Sequence, residues 1–270
     1  PPRSTPKPSS AASDVYKRQV VRVYAGTYYE NLYMNHSYVK MIGNGSKKVT
    51  IDGGGSGNVI EINADHCAVE NLTVKNGGDE TGEAGIYVKG NHVVISNCTS
   101  TENGGPGIYI DSNTDHDLVI NCTLDSNSKS GLHIEGTYHE IWNTTVVDNH
   151  ASGIVGAIDG VRNAKIFNTN VSSNNHDEYQ YGGGIILRDG SNSNVISGCI
   201  IEDNLRLGIY ILDSSSIIIN NTIIRDNTHY GIYFRGSSSS NSITNTTIHN
   251  NNYGIYIESG SSADNNEIHY

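Results

Sequence analysis

A short unit, glycine followed by apolar, variable and apolar residues, returns along most of the chain, and this recurrence constrains the fold more than any other feature. It stands at Gly85-Ile86-Tyr87-Val88, Gly107-Ile108-Tyr109-Ile110, Gly131-Leu132-His133-Ile134, Gly184-Ile185-Ile186-Leu187, Gly208-Ile209-Tyr210-Ile211, Gly231-Ile232-Tyr233-Phe234 and Gly254-Ile255-Tyr256-Ile257, with a weaker copy at Gly153-Ile154-Val155-Gly156. Successive glycines are 22, 24, 22, 31, 24, 23 and 23 residues apart. A second unit, apolar-x-Asn-x-Thr, alternates with the first and is centred on Asn71, Asn97, Asn121, Asn143, Asn168, Asn221 and Asn245, with Gly198 in the same column. Six residues further on runs another polar column: Asn103, Asn127, Asn149, Asn174, Asn204, Asn227 and Asn251.

Alternation within each unit has period two, which is the signature of a half-buried strand. A unit of about 23 residues cannot bury its apolar side alone, whereas stacked units share one continuous core, with columns spaced about 4.8 Å apart. A propeller blade needs about forty residues, and the leucine consensus of leucine-rich repeats is missing. The expected fold is therefore all-β: a single-stranded right-handed parallel β-helix, or solenoid, of ~23-residue coils over residues 20–270. Asn tolerates the left-handed backbone of a sharp turn, and stacked amides can hydrogen-bond along a column. A ladder of this kind is expected at Asn71 and its equivalents, with a weak point where Gly198 interrupts it.

Residues 1–19 hold four of the five prolines, show no periodicity and read as a disordered or non-native tail. The last residues, Ile268-His269-Tyr270, stop mid-coil, which reads as truncation at the C-terminus. The whole chain has a formal net charge of −11, the first nineteen residues contribute +3, and residues 20–270 therefore carry −14. Such an acidic surface argues against nucleic acid as partner. No apolar run approaches the ~20 residues of a membrane-spanning helix. The four cysteines lack metal-type spacing, and Cys98, Cys122 and Cys199 share one column as small buried filler. Five Asn-x-Thr sequons fall in the first Asn column and read as by-products of the repeat.

The segments Val23-Tyr24-Ala25-Gly26-Thr27-Tyr28-Tyr29-Glu30-Asn31-Leu32, Met41-Ile42-Gly43-Asn44-Gly45 and Thr50-Ile51-Asp52-Gly53-Gly54-Gly55-Ser56-Gly57-Asn58 resemble the opening coils of the parallel β-helix repeat superfamily, which includes pectate-lyase-like and NosD-like surface proteins. The resemblance covers about residues 20–270 and implies a secreted or cell-surface location. It carries no particular chemistry, because one fold hosts many functions. NosD-like proteins are linked to copper-site assembly. This chain has only Met34 and Met41 and no evident Met/His cluster, so that role is not carried over.

Side chains after each glycine alternate inward and outward. The outward column is then Tyr87, Tyr109, His133, Val155, Ile186, Tyr210, Tyr233 and Tyr256, an exposed row of rings suited to the apolar faces of sugars. The next outward column contains Lys89, Asp111, Glu135 and Arg188. Asp111 and Glu135 are expected about one strand spacing apart, close enough to bind Ca²⁺ through oxygens or to act as an acid/base pair. Polysaccharide lyases abstract the proton α to a uronate carboxyl, for which Lys89, His133 or Arg188 would neutralise charge or serve as base. The 31-residue rung places His176 and Tyr181 where they could wall a groove ending near Arg188. No lyase, epimerase or polygalacturonase motif is matched residue by residue.

Three readings follow. The preferred one is an extracellular module that binds polysaccharide through Tyr87, Tyr109, His176, Tyr181, Tyr210 and Tyr233. The second is a polysaccharide lyase or uronate epimerase using Lys89, Asp111, His133, Glu135 and Arg188, with Ca²⁺ as the one cofactor considered. The third is a structural surface or adhesin stalk.

Overall fold

The computed structural model describes residues 19–44, 49–175, 180–259 and 267–269, and within Ile154–Arg162 and Glu267–His269 it gives the backbone alone for residues 157–159 and 267–269. The tail assigned to residues 1–19 lies outside this range except for Gln19, which opens the first strand, Gln19–Val23. All regular structure among the described residues is β-strand. Among the described residues the strands form three parallel sheets of eleven, ten and ten members, and each coil before the final strand Glu267–His269 contributes one strand to each sheet. Sheet A starts with Gln19–Val23, sheet B with Gly26–Tyr29 and sheet C with Leu32–Met34. Every neighbour in a sheet comes from the preceding or following coil, the wiring of a β-solenoid. No helix among the described residues is long and apolar enough to cross a membrane.

The period-two alternation fills the interior as expected. In sheet C, Ile86 pairs with Ile108, Ile108 with Leu132, and Leu132 with Ile154, and all four are fully buried. Sheet A contributes Val69, Ile95, Val119 and Ile141 to the same core, and sheet B contributes Val74, Leu124, Val146 and Val171. Cys98, Cys122 and Cys199 are free and buried in this core, and each thiol donates to nearby carbonyls. This matches their reading as small filler.

Both Asn columns exist, but they divide the two tasks assigned to one. Asn71, Asn97, Asn121, Asn143, Asn168, Asn221 and Asn245 all take left-handed backbone, with φ between 45° and 57°, at the corner between sheets A and B. Several of these side chains, including Asn97, Asn121 and Asn143, are exposed. The amide ladder instead runs through the second column, where Asn103, Asn127, Asn149, Asn174, Asn204 and Asn227 are buried. Each Nδ2 donates to the Oδ1 of the next Asn, at 2.8 Å from Asn103 to Asn127, 2.9 Å from Asn127 to Asn149 and 2.9 Å from Asn149 to Asn174. Contacts of 3.0, 3.0 and 2.9 Å carry it on to Asn204, Asn227 and Asn251. Gly198 therefore interrupts no ladder, and the sequon asparagines are not held in one.

The ladder also explains the glycine of the repeat. A Cβ on Gly107 would lie 2.7 Å from Asn127 Nδ2 and 2.7 Å from the Gly131 carbonyl oxygen. The glycine column leaves the room that the amide column occupies.

Candidate functional site

The outer face of sheet C gathers most of the chemistry-bearing residues. Register places Glu61, Tyr87, Tyr109 and His133 side by side on successive coils. The rings of Tyr87 and Tyr109 stack with centroids 4.7 Å apart, and those of Tyr109 and His133 lie 4.6 Å apart. All three side chains are half-buried. Tyr87 Oη donates to Asp111 Oδ2 at 2.5 Å. Tyr109 Oη donates to Glu135 Oε1 at 3.3 Å, and His133 Nε2 lies 3.0 Å from the same oxygen.

Glu135 keeps the outward side expected of it but is far less exposed than that position implies. The pairing between Leu132–Thr137 and Ile154–Arg162 shifts register between Ile134 and Gly136, and Glu135 sits at this bulge, only 3% exposed. Bulges re-aim side chains beside them. Here the result is a carboxylate tucked beneath Tyr109 and His133.

The electrostatics follow from these contacts. Burial pushes the Tyr109 hydroxyl up to about 12, helped by the charges of Glu135 and Asp111. Burial also raises Tyr87, with its hydrogen bond to Asp111 acting in the same direction. For Asp111, burial pushes the carboxyl up, but hydrogen bonds from Tyr87, Asn113 and Ser112 outweigh it and hold the group below its ordinary value. Both tyrosines thus keep their protons, and Asp111 is held as the anion. Lys89 sits 4.5 Å above the Tyr87 ring and pairs with Glu61 Oε1 at 2.8 Å.

The sequence reads Asp111 and Glu135 as close enough to bind Ca²⁺ or to act as an acid/base pair. In the structure each carboxylate has hydrogen-bond partners close by: Tyr87, Ser112 and Asn113 for Asp111, and Tyr109 and His133 for Glu135.

Arg188 and the remaining tyrosines lie further along the same face. Val155 and Ile186 separate them from His133 in the register. A hollow of about 360 Å³ is lined there by Ser152, Val155, Gln180, Tyr181, Ile186 and Arg188. His176, assigned to its wall, lies outside the described residues. The expectation of one exposed tyrosine row is corrected at this point. Tyr210 is 1% and Tyr233 7% exposed, packed with Ile186 and Leu207 in a second apolar cluster outside the coil core. Tyr181 stacks on Tyr210 at 5.4 Å, and Tyr230 packs against Tyr233 at 5.1 Å. Both tyrosines point away from the coil interior as expected, but Leu207 and Tyr230, at the starts of their own strands, and Tyr181, in the turn before Gly183–Leu187, roof them over.

The family model described as the right handed beta helix region matches residues 33–177 and 114–269. The chain belongs to this family. Among solved structures, this β-helix is similar to the A-module of a mannuronan C-5 epimerase from Azotobacter vinelandii, with a TM-score of 0.63 and 14% identity over 93% of this chain and 86% of the module. It is also similar to the enzymatically active domain of tailspike protein 2 from bacteriophage CBA120, with a TM-score of 0.69 and 18% identity over 93% of this chain and 42% of that one. A pectate lyase aligns with a TM-score of 0.61 and 14% identity over 87% and 69%. Identities this low speak for the fold alone. No curated protein sequence matches the β-helix.

One constellation was missed in the sequence. At the corner before sheet A, five rings form a column across successive coils: Tyr38 stacks on His66, His66 on His92, His116 tilts against His92, and His116 stacks on Tyr138, with centroids 4.7, 4.8, 5.1 and 5.0 Å apart. This column holds histidines and tyrosines and no methionine. The signal was present, because His66, His92, His116 and Tyr138 each stand five residues before the column of Asn71. It was hidden because no glycine or threonine marks that position in the repeat.

Proposed function

We propose that this β-helix binds polysaccharide outside the cell, along the outer face of sheet C from Glu61 to the hollow at Arg188. The observation that carries the reading is the run of half-buried rings, Tyr87 stacked on Tyr109 and His133 tilted against it, continuing into a hollow with an apolar floor of Val155 and Ile186. Ring faces and a few fixed polar groups are what sugar recognition requires. Support also comes from the names of the similar structures, which include a mannuronan epimerase and a pectate lyase. Their substrates are acidic chains, and Arg188, Lys89 and His133 are the local groups able to meet uronate carboxylates. The roofing of Tyr210 and Tyr233 takes those two rings out of the contact surface. The test is calorimetric titration with pectate, alginate, a glycosaminoglycan and a neutral glucan. Binding to at least one, weakened tenfold or more by Tyr109→Ala and by Arg188→Ala, is expected. Absence of binding to all four overturns the reading.

A second reading, lyase or epimerase chemistry on an acidic polysaccharide, is favoured by the convergence of His133 and Tyr109 on one Glu135 oxygen. In it, His133, oriented by Glu135, takes the proton α to the uronate carboxyl. Arg188 or Lys89 offsets the charge that builds on that carboxyl. Tyr109, whose hydroxyl holds its proton to about 12, is the proton donor. In a lyase that proton goes to the oxygen leaving the neighbouring ring carbon, and a double bond forms. In an epimerase it returns to the carbanion on the opposite face. Incubation with each polysaccharide, with and without Ca²⁺, distinguishes them. Ultraviolet absorbance of an unsaturated uronate marks elimination, and deuterium incorporation from D₂O marks epimerisation. Absence of both from every mixture leaves binding alone.

A further inference from the structure

The corner before sheet A carries its own chemistry, on a part of the coil that the polysaccharide reading does not use. His66, His92 and His116 take left-handed backbone there, with φ of 57°, 55° and 56°. Later coils fill the same column with Asn163, Ser193, Ser216 and Ser240, residues common in sharp turns. Stacking accounts for rings at this corner, and tyrosine serves that purpose at Tyr38 and Tyr138. It does not account for imidazoles. The ring nitrogens of His66 and His92 have no hydrogen-bond partner among the described residues.

The residue before each of these histidines is polar: Asp65, Asn91 and Asp115. Asp65 Oδ1 accepts from Asn91 N at 2.8 Å and from Asn91 Nδ2 at 3.2 Å, and Asn91 Oδ1 accepts from Asp115 N at 2.9 Å. The row ends at Asp115. Among the described residues, the polar partner of its half-exposed carboxylate is His116 Nδ1, 3.5 Å away. Two imidazoles and a carboxylate thus share one patch. One ligand atom from each of His92, Asp115 and His116 lies within 4.8 Å of the other two.

We propose that His92, Asp115 and His116 bind a divalent transition-metal ion, with Zn²⁺ the best match, across two successive coils. Tetrahedral zinc with Zn–N bonds of about 2.0–2.1 Å separates its ligand atoms by roughly 3.3 Å. All three side chains are on the surface, so small rotations bring them from the observed spacing to that one. Two nitrogen ligands select for zinc-like ions and against Ca²⁺, which takes oxygens. A fourth coordination position stays open to water. The ion would tie the coil of His92 to the coil of His116 without moving either backbone.

The test is calorimetric titration of the untagged full chain with ZnCl₂, with CaCl₂ as control. One equivalent of Zn²⁺ is expected to bind, and Ca²⁺ should neither bind at this site nor compete. His92→Tyr keeps the ring stack, because tyrosine already occupies the column, and removes one ligand. Asp115→Asn keeps the shape and removes the charge. Each should weaken Zn²⁺ binding at least tenfold, with the circular dichroism spectrum unchanged. As a second readout, Zn²⁺ should raise the thermal midpoint of the wild type but not of His92→Tyr. No Zn²⁺ binding by the wild type, or a loss smaller than tenfold in either folded variant, overturns the proposal.

Discussion

Tyr87 on one coil donates its phenolic hydrogen to the Asp111 carboxylate on the next, at 2.5 Å. The bond stands in the middle of the proposed binding face, and removing it leaves the stacked rings in place. Tyr87→Phe is expected to move the Asp111 carboxyl upward, because one of the hydrogen bonds that offset burial there is lost. Carbon-detected NMR titration of the Asp111 carboxyl checks this, and a carboxyl that titrates as in the wild type contradicts it. Polysaccharide affinity should fall only about threefold to tenfold, the worth of one hydrogen bond.

The same face predicts an alkaline limit. The Tyr109 hydroxyl is pushed up to about 12, by burial first and then by the charges of Glu135 and Asp111. An unfolded tyrosine ionises near about 10. The folded state therefore favours the neutral phenol, so this contribution to stability is complete below about pH 10 and is lost as pH climbs toward 12. Asp111, held below its ordinary value, works in the opposite sense. Its contribution is present above about pH 4 and disappears as pH falls through the folded value. Urea midpoints measured from about pH 9 to 11 should fall more steeply for the wild type than for Tyr109→Phe. Parallel slopes would show that Tyr109 is not the group responsible.

The amide ladder gives the largest expected loss from a polar substitution. Asn149 is fully buried, donates to Asn174 Oδ1, Leu124 O and Val147 O, and accepts from the side chain and backbone of Asn127. Asn149→Ala strands several of these partners away from water, at a cost of about 3 kcal/mol or more. Gly198→Asn, by contrast, should change stability by less than about 1 kcal/mol, because no ladder runs through that corner. The new Cβ would meet Asn168 Oδ1 at 2.4 Å, the free end of an exposed side chain that can turn aside. Denaturant midpoints of the two variants decide the matter, and a clear gain from Gly198→Asn would return the ladder to the first column.

Much of this was legible before the fold was known, and for a physical reason. A solenoid repeats one environment, so a column in the sequence becomes a file of side chains in space. Ile86, Ile108 and Leu132 face inward and Tyr87, Tyr109 and His133 outward, as alternation requires. Two things escaped. Alternation ends at a bulge, so the burial of Glu135 beside Tyr109 and His133 could not be seen from the column of Asp111. It also describes only what lies within the repeated unit. The roof over Tyr210 comes from Leu207, at the start of its own strand, and from Tyr181, in the turn before Gly183–Leu187, outside the Gly-apolar-x-apolar unit. The two Asn columns show a third limit, since backbone need and amide stacking select the same residue and composition alone does not separate them.

That roof separates stability from recognition. Tyr210 is 1% exposed and belongs to the cluster of Ile186, Leu207 and Tyr233, so Tyr210→Ala should destabilise the fold by about 3 kcal/mol or more. Its effect on polysaccharide affinity should be small once folding is restored by working well below the midpoint. Tyr109→Ala should show the reverse, a modest stability loss and a tenfold or greater loss of affinity. If Tyr210→Ala weakens binding as much as Tyr109→Ala in folded protein, the binding face extends further than the rings Tyr87, Tyr109 and His133.

One substitution is expected to stabilise. Asp117 and His139 occupy the same corner position on adjacent coils, and both are buried. Asp117 Oδ2 lies 3.3 Å from His139 Nδ1, but that nitrogen already accepts the Asp117 backbone N–H at 3.2 Å. A nitrogen that accepts has no hydrogen to give, so the carboxylate oxygen is left without a donor. Asn194 shows the better solution two coils beyond His139. Its Oδ1 accepts from Ala164 N at 2.8 Å, as Asp117 Oδ1 accepts from Val93 N at 2.8 Å, and its Nδ2 donates to Val161 O at 2.9 Å. Asp117→Asn keeps the first bond and replaces a stranded anionic oxygen with a donor. A gain of about 1 kcal/mol is expected, read as a higher denaturant midpoint at unchanged slope. A lower midpoint would mean that the close approach to His139 holds this corner together as a charge pair.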